Sequence, residues 1–159
     1  MAGKTRAVRA LVVDDKQDVA ESLSRLLLTM GCAATFVTNP AVALDAAQAL
    51  EADIVFLDLG MPNLNGYELA RMFRKSYRDA PLRLVAVTAY GTPEDRALTR
   101  ASGFDAHVQK PVDISMVEAM LATLFSGFAV SQPDSTKRPA DRLSTAQPPA
   151  LRTTGARNT

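Results

Sequence analysis

The fold is decided by the stretch Asp53-Ile54-Val55-Phe56-Leu57-Asp58-Leu59-Gly60. Four consecutive apolar residues lie between two aspartates, and a glycine follows two residues after the second. A short run of this kind is typical of a strand that is covered on both faces. A similar apolar run covers residues 8–13 and ends in Asp14-Asp15. The two runs predict buried parallel strands that each end in carboxylates.

The rest of the first 128 residues continues the same alternation of strand and helix signals. Apolar runs predict five strands, at residues 8–13, 33–38, 53–58, 82–88 and 106–109. Each is followed by a segment with apolar residues at helical spacing, and short β-α units favour a parallel sheet with helices on both faces. We therefore predict an α/β fold, a flavodoxin-like (βα)5 doubly wound sheet with strand order 2-1-3-4-5.

The helix ends are predicted from local signals. Asp18 with Glu21 indicates a cap for the first helix, and Asn39-Pro40 indicates the start of a second helix that ends near residue 50. Two further caps are expected at Thr92-Pro93-Glu94-Asp95 and at Asp113. The last helix has four apolar residues at core spacing: Ile114, Val117, Leu121 and Leu124.

Composition excludes several classes of protein. The chain has 159 residues, 47% of them hydrophobic and 22% charged, with a formal net charge of +1. This balance suits one globular domain and predicts neither nucleic-acid binding nor membrane binding. Cys32 is the only cysteine, so no internal disulfide can form. No secretory signal precedes the first strand, and we expect a cytoplasmic protein.

Residues 129–159 differ from the segment before them. They contain four prolines, five Lys+Arg against two Asp+Glu, and no aromatic residue. Such a stretch cannot bury enough apolar surface to offset the chain entropy of ordering it. We expect a domain over residues 1–128 and a disordered Pro/Ser/Thr/Arg-rich tail over residues 129–159, with a basic docking segment as the alternative.

Charged and hydroxyl side chains follow four of the predicted strands. Asp14 and Asp15 end the first strand, Asp58 ends the third, Thr88 ends the fourth, and Lys110 follows the fifth. Ligands of open parallel sheets bind at the carboxyl ends of the strands, so these side chains are expected to converge. Lys110 would offset part of the repulsion among the carboxylates, and Mg²⁺ is the expected additional cation because it binds carboxylate oxygens and water. A carboxylate can also act as the nucleophile in phosphoryl transfer, and Asp58 is the best candidate.

Taken as a set, these motifs resemble the receiver domain of two-component response regulators. The resemblance covers about residues 7–126. It rests on Val12-Val13-Asp14-Asp15, Val55-Phe56-Leu57-Asp58-Leu59-Gly60-Met61-Pro62, Asn65-Gly66, Val87-Thr88-Ala89 and Lys110-Pro111. The sequence near residues 103–107 also resembles receivers at the C-termini of hybrid histidine kinases.

The resemblance implies a role for each matching position. Asp58 corresponds to the phosphoacceptor and Asp15 to a direct Mg²⁺ ligand, while Asp14 acts close by through water. The backbone carbonyl of Gly60 corresponds to the third protein ligand, so the implied metal set is Asp14, Asp15, Asp58 and Gly60.

The resemblance also implies the contacts to the phosphoryl group. Thr88 corresponds to the switch hydroxyl and Lys110 to the lysine that contacts the phosphoryl group. Ala89 is implied to offer its backbone N–H to the phosphate, and Leu59 is a second implied contact. The Lys110–Pro111 peptide bond is implied to be cis.

Three positions bear on the response to phosphorylation. His107 stands where receivers usually carry Tyr or Phe, so a surface histidine, a modified switch and a pH sensor all remain open. Gly60 and Tyr90 stand two residues after Asp58 and Thr88, at positions that flank the phosphoryl group in receivers.

The expected function is therefore a phosphorylation switch and not an enzyme acting on external substrates. A histidine kinase or phosphotransfer protein would phosphorylate Asp58, and a surface formed by the fourth helix, fifth strand and fifth helix would then bind or release a protein partner. The expected assembly is a monomer or weak homodimer. A phosphorylation-independent interaction module is the alternative. A phosphohydrolase is less favoured, because such enzymes commonly place an aspartate where this chain has Gly60.

Overall fold

Five parallel strands form a single sheet in the order β2-β1-β3-β4-β5, which confirms the predicted topology. The computed structural model describes residues 6–61, 65–78, 81–89 and 91–125. The strand bounds lie within one residue of the predictions: β1 Arg9–Val13, β2 Ala33–Val37, β3 Ile54–Asp58, β4 Arg83–Thr88 and β5 Ala106–Gln109. The order reverses between β1 and β3, which are hydrogen-bonded neighbours. This is the switch point at which open α/β sheets bind ligands.

Five helices cover the two faces of the sheet: α1 Gln17–Thr29, α2 Ala43–Leu50, α3 Gly66–Ser76, α4 Pro93–Ala101 and α5 Ile114–Leu124. One apolar core packs α1 and α5 against one face, and it includes Leu27, Phe56 and Leu121. A second core packs α2 and α3 against the other face, with Leu57 and Phe73 among its members. All five residues of β3 are buried, as expected for a central strand covered on both sides.

The predicted cap of α1 is wrong. The N-cap residue is Lys16, which makes no side-chain cap hydrogen bond, so Asp18 lies inside the first turn and not at the cap. The backbone N–H of Lys16 instead donates to Asp14 Oδ1 at 3.0 Å. Glu21 forms an ion pair with Arg25, one turn further along the helix. Asp18 can still stabilise the helix through its dipole.

The other predicted caps are present, with one change. Asn39 accepts a hydrogen bond from Ala41, but it caps a short 3-10 turn, Pro40–Val42, and α2 begins only afterwards. Thr92 and Asp95 form a reciprocal capping box at α4. Asp113 caps α5 as predicted, by accepting from the backbone N–H of Met116.

The two C-terminal helices depart from the predicted packing in different ways. Ile114 is 48% exposed, so its assignment to the core was wrong, whereas Val117 and Leu121 are fully buried. In α4, Thr99 is the only buried residue. This helix therefore contributes no buried apolar side chain to either core.

Gly66 begins α3 at a close approach to the loop after β3. A Cβ atom on this residue would lie 3.1 Å from Leu59 Cα and 3.2 Å from the backbone oxygen of Asp58. Both neighbours are backbone atoms that cannot rotate away. The start of α3 therefore packs directly against the chain that follows Asp58.

Candidate phosphoacceptor and metal site

The sheet register brings the predicted carboxylates together. Val13 of β1 pairs with Leu57 of β3, so Asp14 and Asp58 follow on adjacent strands at the same edge. One carboxylate oxygen from each of Asp14, Asp15 and Asp58 lies within 4.8 Å of the others. Asp14 is 2% and Asp58 3% exposed. Two of the three charges are therefore largely removed from water. Their mutual repulsion is stronger in the protein interior than it would be in water.

Lys110 lies at the end of β5 and contacts two of these carboxylates. Its Nζ is 3.2 Å from Asp58 Oδ1 and 3.5 Å from Asp14 Oδ2. The backbone N–H of Lys110 donates to the carbonyl of Thr88 at 2.8 Å, and the Lys110–Pro111 bond is cis. Thr88 is itself buried at the end of β4. The lysine is thus fixed by β4 in a position to neutralise part of the acidic cluster.

The loop after β3 adds a backbone donor to the site. The N–H of Gly60 donates to Asp58 Oδ1 at 3.0 Å. The N–H of Leu59 donates instead to the carbonyl of Val87, at 2.9 Å, which ties the loop to β4. This bond occupies the one backbone donor of Leu59. Ala89 follows Thr88 as an exposed residue at the same edge of the sheet.

The electrostatics of the cluster favour binding of a cation. Burial raises the pKa of Asp14, and the charge of Asp58 raises it further, while the Lys16 N–H and the Lys110 charge oppose this change. In Asp15, Oδ1 is buried and has no hydrogen-bond partner among the described residues. A buried oxygen without a donor is costly unless a ligand occupies it. Three hard oxygen donors at this spacing, one of them unpartnered, fit the preference of Mg²⁺.

A cavity opens beside the acidic cluster. It has a volume of about 350 Å³ and lies between α1 and the turn after β5. Asp14, Asp58 and Lys110 line one end, and the walls are mainly apolar, including Val19 and Pro111. Sequence reasoning missed this cavity, because no local pattern shows how far a helix lies from a turn that follows a distant strand. Asp58 therefore belongs both to the acidic cluster and to the lining of this cavity.

The flanking positions named from the sequence have separate outcomes. His107 is half-buried on β5, and Ala86 is its partner on β4. Burial lowers the pKa of His107, and the charge of Arg96 lowers it further, while Asp95 opposes the change. Tyr90 and the predicted tail lie outside the residues that the structure describes.

Comparisons with known proteins give the family. The sequence model of the family described as the response regulator receiver domain matches residues 10–122 of this chain. The chain belongs to the response regulator receiver family. Receiver domains are signalling domains that accept a phosphoryl group, so the expected class of function is confirmed.

Individual relatives cover much of this chain and different shares of their own length. The chain is 36% identical to the DNA-binding response regulator MtrA of Mycolicibacterium smegmatis, over 67% of this chain and 46% of that protein. It is 32% identical to the sensor histidine kinase GacS of Pseudomonas protegens, over 79% of this chain and 14% of that protein. This chain therefore spans less than half of either relative.

A solved structure shows the same fold in a receiver domain. The CheY-like response regulator receiver domain of Methylobacillus flagellatus superposes with a TM-score of 0.65 at 30% identity, covering 75% of this chain and 99% of that one. Within the described ranges, none of the helices has the length and apolar character to cross a membrane.

Proposed function

We propose that Asp58 is the residue of this receiver domain that accepts the phosphoryl group. The observation that carries the proposal is the contact of Lys110 with both Asp58 and Asp14 at the switch point of the sheet. Asp58 is buried, ends the central strand and lies beside the cavity between α1 and the turn after β5. No other aspartate among the described residues combines these features.

The geometry divides the work between the two oxygens of Asp58. Oδ1 accepts hydrogen bonds from Lys110 Nζ and the Gly60 N–H, at 3.2 and 3.0 Å. Oδ2 would then attack the phosphorus in line with the leaving group. The bond from phosphorus to the donor imidazole nitrogen breaks as the bond to Oδ2 forms, and the imidazole leaves with the electron pair.

Asp14, Asp15, Asp58 and the Gly60 carbonyl would hold Mg²⁺. When bound, Mg²⁺ neutralises charge on the transferring phosphoryl oxygens. Lys110 would supply the second positive charge there, and the Thr88 hydroxyl and the Ala89 N–H would donate to further phosphoryl oxygens. Leu59 is not proposed as a phosphate donor in this arrangement, because its N–H is bonded to Val87.

The phosphoryl group would act on the face formed by α4, β5 and α5. Lys110 leads directly from β5 into α5, and Thr88 precedes the connection to α4, so both proposed phosphate contacts lie at the ends of elements of this face. Movement of either residue toward the phosphate would shift these elements. The proposed phosphoryl donor is a histidine kinase or a phosphotransfer protein. The proposed location of the protein is the cytoplasm. The chain itself would catalyse only its own phosphorylation and dephosphorylation.

Intact-mass spectrometry after incubation with acetyl phosphate and Mg²⁺ tests this proposal. The wild-type chain should gain the mass of one phosphoryl group, and Asp58→Asn should gain none. Asp45→Asn, which changes an exposed aspartate of α2, is the matched control and should behave as wild type. A gain that survives in Asp58→Asn, or that needs no Mg²⁺, would contradict the assignment.

A further inference from the structure

A second, smaller cavity lies on the opposite side of β5 from α5, against α4. It has a volume of about 230 Å³, and its lining includes two guanidinium groups, Arg96 and Arg100, the His107 imidazole, and one carboxylate, Asp105, which is paired with Arg74. We refer to this cavity as the α4–β5 groove. Phe104 and Thr99, which are 5% and 4% exposed, form its base. The Thr99 hydroxyl donates to the Arg96 carbonyl at 2.8 Å, so the base is held in place by the helix itself.

The two arginines of the groove have no ion-pair partner within the described part of the chain. Asp105 lines the groove and Asp95 lies near His107, but both carboxylates already have other partners. Asp95 caps α4 through Thr92, and Asp105 binds Arg74 and the backbone N–H of Leu84. Two guanidinium groups on consecutive turns of one helix therefore face the groove as uncompensated donors.

The observations favour a protein carboxylate as the ligand. The volume lies below the usual range for whole small-molecule ligands, about 300–1,000 Å³, and suits a single side chain. Residues 1–128 hold 13 Lys+Arg against 15 Asp+Glu, so the domain as a whole does not attract a nucleic-acid backbone. A guanidinium group pairs with a carboxylate through two parallel hydrogen bonds.

We propose that the α4–β5 groove binds an acidic side chain, Asp or Glu, of a protein partner, with the carboxylate held between Arg96 and Arg100. The proposal deepens the proposed function, because the groove lies on the face through which phosphorylation is proposed to act. His107 contributes a ring N–H at the edge of the groove. In place of the aromatic residue that receivers usually carry, it makes this part of the face polar.

Nuclear magnetic resonance of the full chain, labelled with ¹⁵N and titrated with an acetylated hexaglutamate peptide, tests the proposal. The largest amide shifts should fall on α4 and β5, around Arg96, Arg100 and His107. Arg96→Gln/Arg100→Gln should weaken binding about tenfold, through the loss of two charge pairs. Arg25→Gln/Arg71→Gln removes the same charge from exposed sites on α1 and α3 and should bind as wild type.

Three results would overturn the proposal. Shifts confined to the basic segment 129–159 would place the peptide there, and equal weakening in both double variants would show only a general field effect. Tighter binding of a thymidine hexanucleotide with the same dependence on Arg96 and Arg100 would identify a nucleic-acid site. The titration uses the unphosphorylated chain, so it can succeed when acetyl phosphate fails to modify Asp58. Arg96→Gln/Arg100→Gln should still gain a phosphoryl group.

Discussion

Replacing Asp14 by asparagine should stabilise the fold in the absence of Mg²⁺ and remove the response to Mg²⁺. Asp14 is 2% exposed, and its carboxylate lies within 4.8 Å of those of Asp15 and Asp58. At an effective dielectric of 20, each repulsion at that distance is about 3.5 kcal/mol. The attraction to Lys110 Nζ at 3.5 Å is about 4.7 kcal/mol on the same scale. The two repulsions exceed the single attraction by about 2 kcal/mol.

Asparagine keeps the shape of the side chain and its useful hydrogen bond. Its Oδ1 can still accept from the Lys16 N–H, and Lys110 keeps its contact with Asp58. Asp14→Asn should therefore raise the free energy of unfolding by about 2 kcal/mol, which raises Tm by roughly 6–10 °C for a domain of this size. The assay is thermal unfolding followed by circular dichroism, in EDTA and in Mg²⁺. Wild type should be stabilised by Mg²⁺, which binds only the folded state, and the variant should lose most of that increase.

The pH dependence gives a second readout of the same argument. The pKa of Asp14 in the folded protein is raised above its usual 3.8. The stabilising contribution of protonated Asp14 is therefore complete below pH 3.8 and is lost as the pH rises through the pKa of the folded state. The advantage of Asp14→Asn should therefore shrink as the pH falls toward 3.8. Glu118→Gln, at an exposed position of α5, is the control and should change stability by less than about 0.5 kcal/mol. The reasoning would be refuted if Asp14→Asn destabilised the Mg²⁺-free protein by more than about 1 kcal/mol.

Three further predictions concern packing and charge outside the acidic cluster. Gly66→Ala should destabilise the fold by about 1–3 kcal/mol in urea unfolding, because the added Cβ meets backbone atoms at 3.1 and 3.2 Å. Gly60→Ala, whose Cβ lies at an ordinary 3.5 Å from Asp58 Oδ1, should be near neutral, and equal losses in both variants would contradict this account. Arg74→Met should cost about 2–3 kcal/mol, since its guanidinium donates to two backbone carbonyls and a carboxylate, and a loss below about 0.5 kcal/mol would show that these bonds are not required. The pKa of His107 in the folded protein is lowered below 6.5. The stabilising contribution of neutral His107 should therefore be complete above pH 6.5 and decline as the pH falls through the pKa of the folded state. His107→Gln should remove that decline, as measured by urea unfolding across the range.

The strands and the acidic cluster could be predicted because both follow from simple rules. A short apolar run that ends in a carboxylate defines where the chain leaves the sheet, and parallel strands bring those ends to one edge. Asp14, Asp58 and Lys110 therefore meet although Asp14 and Lys110 are 96 positions apart in the sequence.

What the sequence did not predict depends on contacts that form only in the folded chain and that standard local signals do not describe. The start of α1 was misplaced because the Asp14 carboxylate takes the Lys16 N–H, a bond that local cap signals do not describe. Ile114 has the spacing of a core residue, but it lies in the first turn of α5, where the helix extends past the core. The α4–β5 groove combines residues of a helix and an edge strand. Its charged lining depends on how these two elements pack, which the sequence pattern does not predict.

Among the five described α-helices, α4 alone has no buried apolar side chain, so its displacement exposes the least core surface. Burial of one large apolar side chain contributes about 1.5–3 kcal/mol to stability. The helices α3 and α5 bury such side chains, whereas α4 buries none. Its position rests on the capping box at Thr92 and on the hydrogen bonds and partial burial around Thr99. Amide hydrogens of α4 should therefore exchange with solvent through local opening well before those of α1 or α3. The free energy of a few new hydrogen bonds at the strand ends would therefore be enough to displace this helix.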